Sequence, residues 1–271
     1  SFKIFVNSLP NPQGNSIPIP LCINIPKDTS PIATVALNAS TGTIYDTYQW
    51  YKNGQLITNA TNAVYLASDE GVYKVEAYAT NTLLENSCVG YNTFTVTTSS
   101  KAFIVNIDTT DDTLNENSIT ITVTGEGNYE YALNDSNNFI DGITNFSYTF
   151  SNLEVGIYTI QIRDKNGCGI TYSDEIPIIF FQKHCTPNED GIYDTWKILG
   201  VDNEFFQSVT VNIYDRYGKR VAVIPSKDHK GWGGIYNGQK LPSTDYWYDA
   251  VLLDKNGKIR RKKSHFSLLR K

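Results

Sequence analysis

Methionine is missing from all 271 residues, and Ser1 is not followed by a basic start and an apolar run. A secretory signal peptide has that pattern, so the chain reads as the C-terminal piece of something longer. Long apolar runs are missing too. The best, around Ile176 to Phe181, falls far short of the roughly 20 residues a membrane-spanning helix needs. No long segment shows a 3.6-residue apolar period, which argues against helices. Cysteine is scarce: Cys22, Cys88, Cys168 and Cys185 form no CxxC and no His/Cys metal spacing, so zinc is not expected. An even count fits disulfides in an oxidising compartment, with free buried thiols as the alternative. Basic residues are few in the first two-thirds. Residues 1–178 hold 7 Lys+Arg against 18 Asp+Glu, net −11, while 179–271 hold 16 against 10, net +6. A basic terminal module on an acidic body suits an acidic protein or membrane-surface partner; no nucleic-acid partner is expected.

What the chain does contain is β signal. Short segments rich in Val, Ile, Thr, Tyr and Phe recur between Asn, Gly, Asp and Pro clusters, most alternating between two faces, as in Val72–Ala77, Ile119–Val123 and Val209–Tyr214. The expected fold class is all-β: tandem immunoglobulin-like sandwiches closed by a C-terminal β-sandwich. Residues 1–20 pair a strand-like stretch, Phe2 to Val6, with a run through Pro10, Pro12, Pro18 and Pro20, as in the end of an upstream domain and a stiff linker. In 21–100, Gln49 to Gly54 reads as a strand with the core Trp50 and a hairpin turn, and Asp69 to Tyr73 as a tyrosine corner. Val75 stands where antibody-type domains carry their second cysteine. Cys22 and Cys88, near the ends of this module, are therefore expected to bridge its first and last strands, a gain of about 4 kcal/mol. Whether Cys168 and Cys185 pair stays open.

Residues 101–178 end in Phe150 to Leu153, Gly156 to Ile160 and Arg163 to Cys168. That run resembles the repeat modules of large Bacteroidetes gliding adhesins. Residues 179–271 carry four ordered blocks: Cys185 to Trp196, Val211 to Lys219, Gly231 to Gly238 with Leu241 to Tyr248, and His265 to Arg270. They resemble the gliding-motility-associated C-terminal domain, the type B sorting domain of type IX secretion substrates. The matching positions are Thr186, Pro187, Asn188, Asp190, Gly191, Asp194, Trp196, Arg216, Gly218, Trp232, Gly234, Asn237, Gly238, Leu241, Pro242, Tyr246 and Trp247. Cys185, Tyr193 and Gly233 depart from the pattern, where an aromatic, Asn and Asp are usual. The resemblance implies an export signal read by the type IX translocon, followed by retention at the cell surface on an SprF-type outer-membrane β-barrel. The expected parent is an adhesin or gliding-associated protein. The alternative is the stalk and sorting domain of a secreted hydrolase or carbohydrate-binding protein, with exposed aromatics of 21–98 as the sugar platform.

The sharper expectations are these. The basic terminal hairpin, with Arg260, Arg261, Lys262, Lys263, Phe266, Arg270 and Lys271, is expected to contact the barrel. Asn188, Asp190 and Asp194 around Gly191 lend one tight loop several oxygens, so calcium is the one cofactor the pattern admits, although such residues also cap ordinary turns. His184, His229 and His265 lack a catalytic arrangement with Cys185, and no paired-carboxylate motif is present, so no enzyme is expected. Asp112-Thr113-Leu114 has the acidic-Thr-aliphatic form of an O-glycosylation acceptor in Bacteroidetes proteins.

Overall fold

The computed structural model describes residues 9–24, 33–42, 46–79, 89–142, 144, 146–201, 204–225 and 230–270. Every element in it is a strand, and three separate apolar cores lie in series along the chain.

The first core gathers around Trp50, fully buried between the strands Asp46–Lys52, Gly71–Ala79 and Val89–Ser99 and the opposing pair Val35–Asn38 and Val64–Ala67. Alternation does the sorting: in Gly71–Ala79, Tyr73, Val75 and Ala77 point inward while Lys74 and Glu76 face out. Strand Ile19–Cys22 joins this sheet in parallel with Val89–Ser99. The proline run before it is docked rather than free. The Asn92 side chain donates to the Pro12 carbonyl at 3.0 Å, and a Cβ at Gly90 would lie 1.8 Å from the Pro10 carbonyl oxygen, so only glycine fits. The strand expected at Phe2 to Val6 lies outside the described residues.

The second core is built from Asn117–Thr124, Tyr129–Leu133, Ser147–Leu153 and Ile160–Asp164. The third lies under a five-stranded sheet in which Thr244–Asp254 is flanked by Phe206–Tyr214 and Ile259–Leu268. Here the short strand His184–Cys185 runs parallel to Ile259–Leu268, so the two outer sandwiches share an edge strand laid parallel to a later one.

A tyrosine corner occurs in each sandwich. Tyr73 donates its hydroxyl to the Asp69 carbonyl at 2.8 Å, Tyr158 to that of Glu154 at 2.9 Å, and Tyr246 to that of Pro242 at 3.0 Å, each four residues back. Only the first is legible from the order of features around it; the others lack the flanking Trp signal that marks an immunoglobulin-like module.

The expected Cys22–Cys88 bridge is overturned. Cys22 is bonded to Cys168, with Cα atoms 5.4 Å apart across a sequence separation of 146, and Cys88 lies outside the described residues. Cys168 closes the turn after Ile160–Asp164 and reaches back to the end of Ile19–Cys22, so the bridge staples the first sandwich to the second. Cys185 is a free thiol in the third core.

Candidate functional site

The terminal sandwich grows from its tryptophans. Trp196 is fully buried, stacks on Phe266 at 4.6 Å and donates its ring N–H to the Gln182 carbonyl at 2.6 Å. Its backbone exchanges two hydrogen bonds of 2.9 Å with Trp232. Tyr246 and Phe266 close the same aromatic cluster. The motif glycines are turn positions: Gly191, Gly218, Gly234 and Gly238 all have φ between 73° and 83°, and Asn237 joins Gly238 in a tight hairpin turn at φ 49°. At Gly234 a Cβ would meet the Arg270 guanidinium at 2.7 Å, because Arg270 donates to the carbonyls of Leu241, Gly233 and Gly234. Thr186 closes the first loop by donating its N–H to the Tyr193 carbonyl at 2.7 Å, beside the half-buried Pro187.

The loop Asn188–Asp194 holds itself. Asp194 accepts the N–H groups of Asn188 at 3.0 Å, Glu189 at 2.6 Å and Gly191 at 2.7 Å, while Asp190 accepts from Ile192 and from the Asn188 amide. Burial works to raise the Asp194 carboxyl, but these amides, with that of Asp190, outweigh it and hold it below the usual carboxylate range. The oxygens of Asp190 and Asp194 thus cap N–H groups of their own loop. Burial pushes the Cys185 thiol up to about 11, so it stays protonated and inert as a small apolar filler.

The basic hairpin divides by strand alternation. Along Ile259–Leu268, Arg260 and Lys262 point to one face, and Arg261 and Lys263 to the other. The first pair is engaged within the chain. Arg260 forks onto Asp111 at 2.5 and 2.8 Å, and Lys262 and Lys183 both reach Asp112, the latter at 2.6 Å. Backbone contacts close the clasp: the Asp112 N–H donates to the Ile179 carbonyl at 3.0 Å, and the Phe181 N–H donates to the Asp112 carboxylate at 2.9 Å. Lys262 also sits 4.6 Å above the Phe181 ring. Burial pushes the Asp112 carboxyl up, but the two lysines and the Phe181 amide outweigh it and keep it low. At the rim Lys255 meets Glu175 at 2.5 Å. The expectation that one basic strip contacts the barrel is therefore corrected at four positions. Arg260 and Lys262 are engaged within the chain, Phe266 is core at 1% exposure, and Arg270 caps carbonyls. Arg261 and Lys263 stay exposed, and Lys271 lies outside the described residues.

The joint between the first and second sandwiches uses different chemistry. Asp164, 2% exposed, accepts the Ser99 hydroxyl at 2.8 Å and the N–H groups of Asn128 and Cys168 at 2.9 and 3.1 Å, beside the disulfide. Thr113, in the expected glycosylation pattern, donates its hydroxyl to Asn117 at 2.9 Å and accepts the Glu116 N–H at 3.0 Å, so it belongs to the folded turn under the clasp.

These features define a class: tandem immunoglobulin-like β-sandwiches followed by a terminal β-sandwich with turn-rich motif blocks. Residues 179–268 match the CHU_C type IX secretion signal domain. The last third of the chain is thus a type IX secretion signal domain, which implies interaction with that secretion system and export out of the cell. No curated protein matches the chain. Solved structures similar to it include dimeric latent PorU from Porphyromonas gingivalis, at 12% identity and TM-score 0.26 over 94% of this chain and 32% of that one. A Bacteroides ovatus mixed-linkage glucan utilization locus protein, SGBP-B, in complex with a heptasaccharide aligns at 12% and 0.22, covering 99% and 70%. The N-terminal eight Ig domains of Down Syndrome Cell Adhesion Molecule align at 12% and 0.35, covering 94% and 36%. The chain spans about a third of the PorU structure's length. Likeness at that level assigns neither ligand nor partner.

Proposed function

We propose that the chain is the delivery and attachment end of a surface protein: two stalk sandwiches carried by a terminal domain that is exported by the type IX translocon and then held on an SprF-type outer-membrane β-barrel. The match of residues 179–268 carries this reading. The stapled first joint and the clasped second joint support it, because a stalk has to hold its modules in line. The parent is an adhesin or gliding-associated protein, and the described chain performs no catalysis. Retention is non-covalent, through the exposed sheet face of the terminal domain.

The test is a periplasmic reporter fused ahead of all 271 residues in a host with type IX machinery, beside the same fusion cut after residue 178. The expected result is reporter on the cell surface for the first and in the periplasm for the second, with a barrel protein co-purifying. Equal periplasmic retention of both would overturn the reading.

A further inference from the structure

Most motif residues of the terminal domain have structural tasks: Trp196, Trp232 and Tyr246 fill the core, the glycines make turns, and Pro242 accepts the tyrosine corner. Arg216 and Trp247 do not. They come from different blocks, yet both line one open depression of about 520 Å³ on the sheet face turned away from the core. Of the four tryptophans, Trp50, Trp196 and Trp232 are at most 7% exposed, whereas Trp247 is 43% exposed. Strand pairing sets Trp247 between Tyr214 and His265, and Tyr217, 87% exposed, follows Arg216 in the turn.

The charges are unequal in their freedom. Asp249 is paired with Lys263 at 3.1 Å, and Asp215 accepts the N–H groups of Tyr217 and Lys219 at 2.9 and 3.0 Å. Among the described residues Arg216 makes one side-chain hydrogen bond, 3.2 Å to the Thr244 hydroxyl, and leans over the Tyr217 ring at 5.9 Å. Most of its planar donor fork faces solvent beside an aromatic floor. A guanidinium fork matches a carboxylate in two parallel bonds. Trp, Tyr and Arg are also the residue types that dominate binding energy at protein interfaces.

We propose that this groove is where the export machinery grips the domain, by docking a protein loop that carries a carboxylate next to an aliphatic side chain. Arg216 takes the carboxylate, and the Trp247 and Tyr214 rings take the aliphatic group. The inference rests on the export reading and locates its contact away from the basic strip.

The test uses the full-length reporter fusion with Trp247→Ala, Arg216→Ala and Arg216→Lys, and with Lys258→Gln, exposed in a turn outside the groove, as the control. Surface reporter is expected to fall at least tenfold for the first three, with matching gain in the periplasm, an unchanged melting temperature of the purified chain, and no effect of the control. Lysine does not rescue, since it lacks the fork. Wild-type surface levels in Trp247→Ala and Arg216→Ala would overturn the proposal while leaving export intact. Reporter released to the medium instead would assign the groove to surface retention rather than to export, and would also overturn it. Failure of the unaltered fusion to leave the periplasm would sink the export reading itself.

Discussion

Tyr193 occupies a left-handed backbone position at φ 55°, where a bulky side chain is strained and Asn is tolerated. It is also one of the three positions that depart from the sorting-domain pattern, and the pattern's Asn is what that backbone favours. The ring contact with His184 at 4.8 Å offsets part of the strain. Tyr193→Asn is expected to raise the stability of the chain by about 1 kcal/mol, read from urea unfolding; a loss of stability would show that the His184 contact outweighs the backbone term. One residue on, Asp194 spends its oxygens on backbone amides. Excess calcium should therefore leave the melting temperature of the chain unchanged, whereas Asp194→Ala should lower it with or without calcium. A calcium-dependent rise for the unaltered chain would show that the loop binds the metal.

At the scale of the element, the strand Ile259–Leu268 shows why a charge run is not a surface patch. A run of basic residues in a strand is split between two faces, and here the inner half meets the acidic turn of the preceding sandwich. Asp111 is 11% exposed, so removing its partner strands a largely buried carboxylate. Arg260→Gln is expected to cost about 2 kcal/mol in urea unfolding, against little for the exposed Lys258→Gln. The pH dependence has a definite sign. Asp112 has a lowered carboxyl pKa when folded, so its contribution is present above the ordinary carboxylate range and is lost as pH falls through the folded value. Small-angle scattering of the full chain should show the second joint loosening on acidification below about pH 4. Asp112→Asn should show that looser state at neutral pH; identical compact profiles would refute the clasp.

Across the whole molecule, the two joints respond to different conditions. The first combines the Cys22–Cys168 bridge, a covalent link that salt does not weaken, with a buried hydrogen-bond network around Asp164. The second rests on ion pairs whose strength falls with ionic strength. Closing a loop of 146 residues is worth about 5 kcal/mol in the chain-entropy model. Cys168→Ser, or reduction of the unaltered chain, should therefore lower the unfolding free energy of the first two sandwiches by an amount of that order, read from denaturant unfolding, while leaving the terminal sandwich as stable as before. Equal loss in all three would mean that they unfold as one unit.

Much of this was legible in the sequence because it depends on neighbours along the chain. Period-2 alternation gave the strands, Gly and Asn marked the turns, and Trp50 with Asp69–Tyr73 marked the first sandwich. The blocks from Cys185 to Arg270 marked the sorting domain, and their Trp and Tyr content its core. Tertiary structure decided what depends on partners distant in sequence. Cysteine pairing was one such feature, since Cys22 and Cys168 meet only when two sandwiches dock end to end. The use of the basic strip was another, since strand pleating divides it and Asp111 and Asp112 approach from another module. The last was the meeting of Arg216 and Trp247 in one groove, because cross-strand register, which no local pattern encodes, sets which side chains share a face.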